Sequence, residues 1–92
     1  MNKTFKALSD TTRREILKLL TNRDMSANEI VQHFNISQPS ISKHLEILKQ
    51  AELVTAEKKG QFMIYSINLT VLQSVLGQFL QMFDQRSKEE EK

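Results

Sequence analysis

The sequence predicts a mainly α-helical domain with a small β-hairpin. Over most of the chain, apolar residues recur every three or four positions, which is the spacing of one face of an α-helix. Between residues 53 and 67 the pattern changes to two short runs rich in β-branched and aromatic residues, which is typical of paired strands. The length of 92 residues, with 39% hydrophobic and 26% charged residues, fits one globular domain.

The first two helices are predicted near residues 2–8 and 11–21. Phe5 and Leu8 lie three positions apart on one face of the first helix. Asp10 is a good N-cap for the second helix, because its carboxylate can accept hydrogen bonds from the free amides of the first turn. The second helix is expected to bury Ile16, Leu17 and Leu20.

A capping box marks the start of the third helix, since Ser26 and Glu29 have the spacing that satisfies two free amides of a first turn. The helical pattern stops at residues 35–36. Ser37 then caps a fourth helix with Pro39 in its first turn, where a missing N–H costs nothing. The expected buried residues are Ala27, Ile30, Val31 and Phe34 in the third helix, and Ile41, Leu45 and Leu48 in the fourth.

The hairpin and a last helix complete the domain. Strands are predicted at residues 53–57 and 61–67, with Lys58-Lys59-Gly60 as the turn. Asn68 or Thr70 opens the last helix, whose apolar residues from Leu72 to Phe83 have an a/d-like spacing. This stripe is too apolar for an isolated helix, and a short chain buries little surface, so a partner helix is expected. Residues 1–86 are predicted to form the domain, and residues 87–92 a charged, disordered tail.

The order of helix, helix, helix, short turn, helix, two-stranded ribbon and helix is that of a winged helix-turn-helix. A short turn leaves the second of two helices protruding, and such a helix fits the major groove, where every base pair shows a distinct pattern of donors and acceptors. At 100° per residue from Ile41, Gln38 lies near 60°. The residues that point outward, between about 100° and 200°, are Pro39, Ser42, Lys43 and Glu46.

These outward side chains suit DNA. Gln38 can bond adenine through both of its amide groups, Lys43 can reach guanine or phosphate, and Ser42 is short enough to let the helix approach closely. Lys58 and Lys59 are candidates for contacts to phosphate or the minor groove, although lysines are equally common in solvated turns.

Three further cations have structural alternatives. For His44, a phosphate contact and packing against the preceding helix both stay open. Arg13 and Arg14 could reach phosphate or pair with carboxylates such as Glu15, and the structural alternative is favoured for both.

Several functional classes are excluded or disfavoured. The chain has no Cys, which removes disulfides, thiolate metal ligands and nucleophilic thiols. No nucleophile–base pair or Gly-rich phosphate loop can be assembled, so no enzyme activity and no cofactor are predicted. His33 and His44 have no second His or carboxylate cluster at ligand spacing, which disfavours a metal site. No apolar run approaches the ~20 residues of a membrane span, so we expect no membrane insertion and a cytoplasmic protein.

Three segments in the same order carry a family resemblance. Residues 37–54, SQPSISKHLEILKQAELV, resemble the ArsR/SmtB family of bacterial winged-helix repressors. Residues 8–17 look like that family's second-helix opening, except that Thr11 stands where Pro is usual, and residues 59–67 look like its wing. The resemblance is to the metal-independent branch. The family's thiol pair is missing from the third helix, and residues 70–86 contain one Asp and no His.

The resemblance implies a homodimer, built mainly from the first and last helices, that represses transcription from an inverted-repeat operator and regulates its own gene. A regulatory protein partner is a further expectation, and a winged-helix module for protein interaction is the alternative function. The residues implied in DNA binding are Gln38, Ser40, Ser42, Lys43, His44, Lys58, Lys59 and Gln61. The residues expected at the dimer interface are Phe5, Leu72, Val75, Leu76, Phe79, Leu80 and Phe83.

Overall fold

Helices and strands follow one another with short connections along the chain. The computed structural model describes the backbone of residues 2–90 and the side chains of residues 2–83. The elements in order are α1 (Lys3–Leu8), α2 (Thr11–Asn22), β1 (Met25–Ser26), α3 (Ala27–Val31), α4 (Gln38–Gln50), β2 (Val54–Lys59), β3 (Phe62–Ile67) and α5 (Leu69–Glu90).

The helices begin at the caps that the sequence predicts. The Asp10 carboxylate accepts from the backbone N–H of Arg13 at 3.0 Å. At α3 the Ser26 hydroxyl accepts from the Glu29 N–H at 3.2 Å, and the Glu29 carboxylate accepts from the Ser26 N–H at 2.9 Å. Of the two candidates for opening α5, Asn68 is the cap, since its side chain accepts from the N–H of Val71.

A single hydrophobic core lies between α2, α3, α4 and the sheet. The inward faces predicted for α2 and α4 are confirmed, and in α3 only Ile30 is fully buried, while Ala27, Val31 and Phe34 are half-buried against the core. The largest fully buried side chains are Ile16, Ile30, Ile41, Leu45, Leu48, Leu53 and Val54.

The sheet has three strands in the order β1-β3-β2 and not two, so the prediction of a two-stranded ribbon is incomplete. Met25 pairs with Tyr65 and Ser26 with Ile64, antiparallel. Two residues are too few to show an alternating pattern in a sequence, and their pairing depends on a strand far along the chain. Met25 is buried under this pairing, so β1 connects the hairpin to the core.

The hairpin turn lies further along the chain than predicted. β2 continues through Lys58 and Lys59, and Lys59 pairs with Phe62, which leaves Gly60 and Gln61 as the turn. Gly60 has φ +63°, the conformation that the first position of a type II′ turn requires. The lysines therefore lie on the last residues of a strand, directly before the turn.

α3 is shorter than the sequence indicates. It ends at Val31, and the N–H groups of His33 and Phe34 bond to carbonyls only three positions back, in tight turns. The connection to α4 then runs to Ser37.

α4 ends in a Schellman motif. The N–H of Glu52 bonds to the carbonyl of Lys49 at 2.9 Å, and the N–H of Leu53 to that of Leu48 at 3.0 Å. Glu52 occupies the left-handed position with φ 63°. Leu48 and Leu53 are both fully buried, so the motif turns the chain from α4 directly into the sheet.

α5 extends beyond the predicted domain boundary. Its backbone is helical to Glu90, whereas residues 87–92 are predicted to be disordered, and residues 91–92 lie outside the described residues. Lys and Glu propagate a helix that has already formed, which the lack of an apolar face does not prevent. The division of the chain at residue 86 stays a prediction. Among the described residues, no helix has the length and apolarity needed to cross a membrane.

Candidate nucleic-acid interface

The inner face of α4 fixes the direction of its outer face. Ile41, Leu45 and Leu48 are buried, and the Ser37 hydroxyl caps the helix by accepting from the N–H of Ser40 at 3.3 Å. The opposite face is open to solvent. The exposed predicted DNA-binding residues are Gln38, Ser40, Ser42 and Lys43 on α4, Lys58 and Lys59 on β2, and Gln61 in the turn.

Gln38 lies at the start of α4, facing α3 and the hairpin. Its Nε2 donates to Oδ1 of Asn28 at 3.1 Å. Gln38, Asn28 and Gln61 line one cleft, together with Phe62 and Met63 of β3. The fold thus brings Gln38 and Gln61 together, although they lie far apart in the sequence. Sequence analysis missed Asn28, which the capping box could have identified as an exposed amide in the first turn of α3.

Ser40 participates in the cap of its own helix. The Ser37 hydroxyl donates to the Ser40 hydroxyl at 3.1 Å, and Ser40 lies away from the outward direction of the helix. A hydroxyl has one donor and two acceptor lone pairs, so Ser40 keeps its O–H for another partner. Ser42 and Lys43 point more directly outward, and both are exposed.

His44 is half-buried beside the N-terminus of α2. Its Nδ1 lies 3.2 Å from Nη1 of Arg13 and 3.8 Å from Oδ2 of Asp10. Arg13 is itself buried, and its Nε donates to the carbonyl of Ala7 at 2.8 Å. As favoured, Arg13 bonds to groups of the chain itself, and these are backbone carbonyls and the His44 ring instead of a carboxylate. His44 packs against the preceding helices, while a fifth of its side chain stays exposed.

The two hairpin lysines are both exposed. Nζ of Lys59 lies 3.8 Å from Oε1 of Glu57, on the same strand. An ion pair this exposed contributes little to stability, because water screens it and both side chains lose freedom in making it. Lys59 can therefore leave Glu57 for a DNA phosphate with little loss of stability.

Two carboxylates near the interface are held in their charged form. The backbone N–H of Arg13 lowers the pKa of Asp10, and the positive charge of Arg13 acts in the same direction. The backbone N–H of Ser26 lowers the pKa of Glu29, and a hydrogen bond from Arg23 at 3.0 Å adds to this. Asp10 caps α2 and Glu29 completes the capping box of α3, so both contribute to stability as long as they stay ionised.

An apolar surface lies between α1 and α5. Phe5, Leu8, Val75, Leu76 and Phe79 line a cleft there. The Phe79 ring centroid lies 6.4 Å from that of Phe5 and 5.4 Å from that of Phe83. Of the predicted dimer residues, Val75 is buried and Leu72 packs against the core, whereas Leu76, Phe79, Leu80 and Phe83 are exposed.

Among the described residues, no three His, Asp or Glu side chains lie close enough together to hold an ion. The chain also lacks Cys, the donor that soft metals and metalloids prefer.

A family model for bacterial regulatory proteins of the arsR family matches residues 10–56, which is just over half of the chain and includes α2, α3 and α4. The chain belongs to the ArsR family.

ArsR-family repressors are among its relatives. The transcriptional repressor SdpR of Bacillus subtilis (strain 168) is 59% identical over 80 residues, which cover 87% of this chain and 89% of SdpR. The arsenical resistance operon repressor of Staphylococcus aureus is 39% identical over 71 residues, or 77% of this chain and 68% of that protein.

Solved structures of ArsR-type regulators share the fold. The crystal structure of a possible transcriptional regulator for arsenical resistance superposes with a TM-score of 0.81 at 30% identity, over 90% of this chain and 85% of that one. The homodimeric winged helix-turn-helix DNA-binding domain of a Mycobacterium bovis protein gives 0.73 at 25% identity, over 92% and 81%. The predicted winged helix-turn-helix is confirmed. This ArsR-family chain is a DNA-binding transcriptional repressor and not an enzyme.

Proposed function

We propose that this ArsR-family repressor binds an inverted-repeat operator as a homodimer, reads its sequence with α4, and acts without a metal on the promoter of its own gene. The observation that carries the proposal is the outer face of α4. It presents exposed amide, hydroxyl and ammonium groups beside a hairpin that ends in two exposed lysines. Bacterial DNA lies in the cytoplasm, so a repressor acts there.

α4 and the hairpin are suited to different contacts with DNA because their exposed side chains differ. The amide of Gln38 and the hydroxyl of Ser42 can both donate and accept, as contacts to base edges require. Lys58 and Lys59 carry charge without directional preference and are suited to phosphates, which position the protein without reading sequence. Ser40, Lys43, His44 and Gln61 complete the proposed surface.

The apolar surface between α1 and α5 supports the homodimer. Leu76, Phe79, Leu80 and Phe83 are each between 44% and 64% exposed, which is unfavourable for a monomer in water. A solved relative with the same fold is a homodimer. Two copies related by a two-fold axis place two α4 helices on half-sites about 34–36 Å apart, one turn of DNA.

The donor set supports the metal-independent proposal. The described residues hold no cluster of three or more His, Asp or Glu, and the chain has no thiol. Regulation then requires another signal, and we retain a protein partner, an unknown ligand or the concentration of the repressor itself as the candidates.

Gel shifts with the DNA upstream of the gene test the proposal. Binding is measured at two salt concentrations with unrelated competitor DNA present. We expect a nanomolar, competitor-resistant shift whose affinity falls steeply with salt, because phosphate contacts release counterions. Binding that disappears with competitor contradicts autoregulation. A weak salt slope together with capture of a specific protein favours the alternative, a protein-interaction module.

Variants of α4 test the sequence-reading residues. Gln38→Ala and Ser42→Ala are expected to weaken operator binding, Gln38→Ala by about tenfold or more, because a paired amide contact discriminates between bases. Both side chains are exposed, so the melting temperature should stay within a few degrees. Gln50→Ala is the matched control, since Gln50 is an exposed glutamine at the far end of the same helix. Unchanged operator affinity in both variants contradicts the assignment.

A further inference from the structure

His44 and Arg13 form a contact that joins α4 to the start of α2. They lie 31 positions apart in the sequence, and Nη1 of Arg13 is 3.2 Å from Nδ1 of His44. A guanidinium only donates hydrogen bonds. Nδ1 of His44 must therefore be the acceptor, and a neutral imidazole that accepts at Nδ1 carries its proton on Nε2.

Arg13 is held in place by other contacts. Its Nε donates to the carbonyl of Ala7 at 2.8 Å, and its Nη2 donates to the carbonyl of Lys6 at 3.1 Å. Only 9% of Arg13 is exposed. Because Nε and Nη2 are bonded to backbone carbonyls, the planar guanidinium directs Nη1 toward His44. An exposed, flexible cation has no such fixed direction.

Asp10 is the competing partner on the same side of the ring. Its Oδ2 lies 3.8 Å from Nδ1 of His44, beyond hydrogen-bond distance. That oxygen already accepts from the backbone N–H of Arg13 at 3.0 Å. The shorter contact, to Arg13, therefore decides the proton position of the ring.

His44 also reaches solvent, at the edge between the inward and outward faces of α4. Its side chain is 21% exposed, and none of its polar atoms is both buried and without a hydrogen-bond partner. A half-buried donor with a fixed direction is well placed for a phosphate oxygen, because little side-chain freedom is lost when the contact forms.

From these contacts we infer that Arg13 is a positioning residue for DNA binding: it holds His44 in the Nε2–H tautomer, and Nε2–H donates to a backbone phosphate. The inference rests on the proposed operator binding. Arg13 itself does not touch DNA. Since a phosphate contact carries no base information, its loss is expected to weaken binding to every sequence alike.

The ring tautomer is measured on the full chain by nitrogen NMR of ¹⁵N-labelled histidine, without DNA. We expect His44 to give one Nε2–H tautomer, and the exposed His33 serves as the internal reference. A mixed tautomer at His44, or an Nδ1–H tautomer, overturns the inference.

Substitutions of His44 distinguish the role of Nε2 from that of Nδ1. His44→Gln keeps a donor near the position of Nε2, and His44→Asn keeps a polar atom only near the position of Nδ1. We expect His44→Gln to bind DNA within about threefold of the unchanged protein and His44→Asn to lose about tenfold or more, for operator and unrelated DNA alike. Equal losses in the two variants overturn the assignment of Nε2 as the donor.

Arg13→Lys tests the positioning role while keeping the charge. It is expected to give a mixed His44 tautomer and several-fold weaker DNA binding. Arg14→Lys is the matched control, since Arg14 is an exposed neighbour whose Nη1 donates to the carbonyl of Leu8. If Arg13→Lys does not fold, the His44 pair still decides the inference. Failure of the unchanged protein to bind DNA contradicts the proposed function, whereas intact binding with a mixed tautomer contradicts this inference alone.

Discussion

Glu52 is the one non-glycine residue in the described part of the chain with a positive φ, 63°. Left-handed backbone costs a residue with a Cβ about 1–2 kcal/mol, and glycine avoids this cost. The strain is tolerated because the Schellman bonds of Glu52 and Leu53 close the end of α4 and bury Leu53. Glu52 is itself exposed, so its side chain is not needed there.

Glu52→Gly is therefore expected to raise the free energy of unfolding by about 0.5–1 kcal/mol, less than the full strain because glycine also loosens the unfolded chain. Urea denaturation measures it. Glu46→Gly, an exposed position inside α4, is the control with the opposite sign and should cost about 1 kcal/mol. Destabilisation by both variants contradicts the strain argument.

The two lowered carboxylate pKa values predict acid sensitivity. Asp10 and Glu29 have ordinary pKa values of 3.8 and 4.5, and both are lowered in the folded chain, mainly by backbone N–H donors. The contribution of these two carboxylates to stability is complete above their ordinary pKa values. It is lost as the pH falls through the lowered pKa values of the folded chain. Urea midpoints are expected to hold from pH 6 to about 5 and then to fall. Because Asn and Gln still accept from the same amides, the double variant Asp10→Asn, Glu29→Gln should fall less steeply. Identical pH curves contradict the prediction.

Residue-scale contacts across the fold were the least predictable part of the site. The outward direction of Ser42 and Lys43 follows from the helical period alone. The partner of His44 does not, since it depends on how α2 and α4 cross, and sequence analysis left phosphate and packing open as alternatives. The Gln38–Asn28 hydrogen bond was not predictable either, because two polar residues on different helices share no sequence pattern.

At the scale of elements, most boundaries followed from local chemistry. Asp10, Ser26 and Ser37 start their helices as predicted, because a cap acts within its own first turn. β2 ends two residues later than predicted, since strand pairing, and not the composition of the lysine run, determines where β2 ends. β1 was not predictable, because two residues gain their structure only from the neighbouring β3.

The two glycines predict opposite responses to the same substitution. Gly60 has φ +63° in the hairpin turn, whereas Gly77 lies inside α5, and an added Cβ meets no atom within 4 Å at either position. Gly60→Ala is therefore expected to lower the free energy of unfolding by about 1 kcal/mol through backbone strain. Gly77→Ala is expected to raise it by a similar amount through helix propensity. Thermal unfolding of both variants measures the difference, and a shift of the same sign in the two contradicts it.

At the scale of the whole molecule, the proposed DNA-binding surface and the apolar surface are formed by different elements. α4 and the hairpin carry the polar groups, and α1 with α5 carries the exposed aromatic rings. The sequence predicted the apolar stripe between Leu72 and Phe83. It did not show that Leu72 and Val75 belong to the core of a single chain. A helical apolar stripe has the same pattern whether its residues are buried within one chain or at a dimer interface.

Phe79→Ser tests the apolar surface. The Phe79 ring touches both Phe5 and Phe83, at the centre of the exposed patch. We expect its removal to weaken self-association by about tenfold or more, since central aromatic residues dominate such interfaces. Sedimentation over a range of concentrations measures it. Phe62→Ser, on the hairpin and 52% exposed, is the control and should not change the association. Equal association of the two variants contradicts the predicted interface.

Ser26 is both the last residue of β1 and the N-cap of α3. No linker separates the sheet that carries the hairpin from the helix-turn-helix, and β3 is paired on both of its sides. The angle between hairpin and α4 is thus set during folding. Association with DNA then requires no search for a closed conformation, so its rate is expected to depend on diffusion and charge attraction instead of on an internal rearrangement.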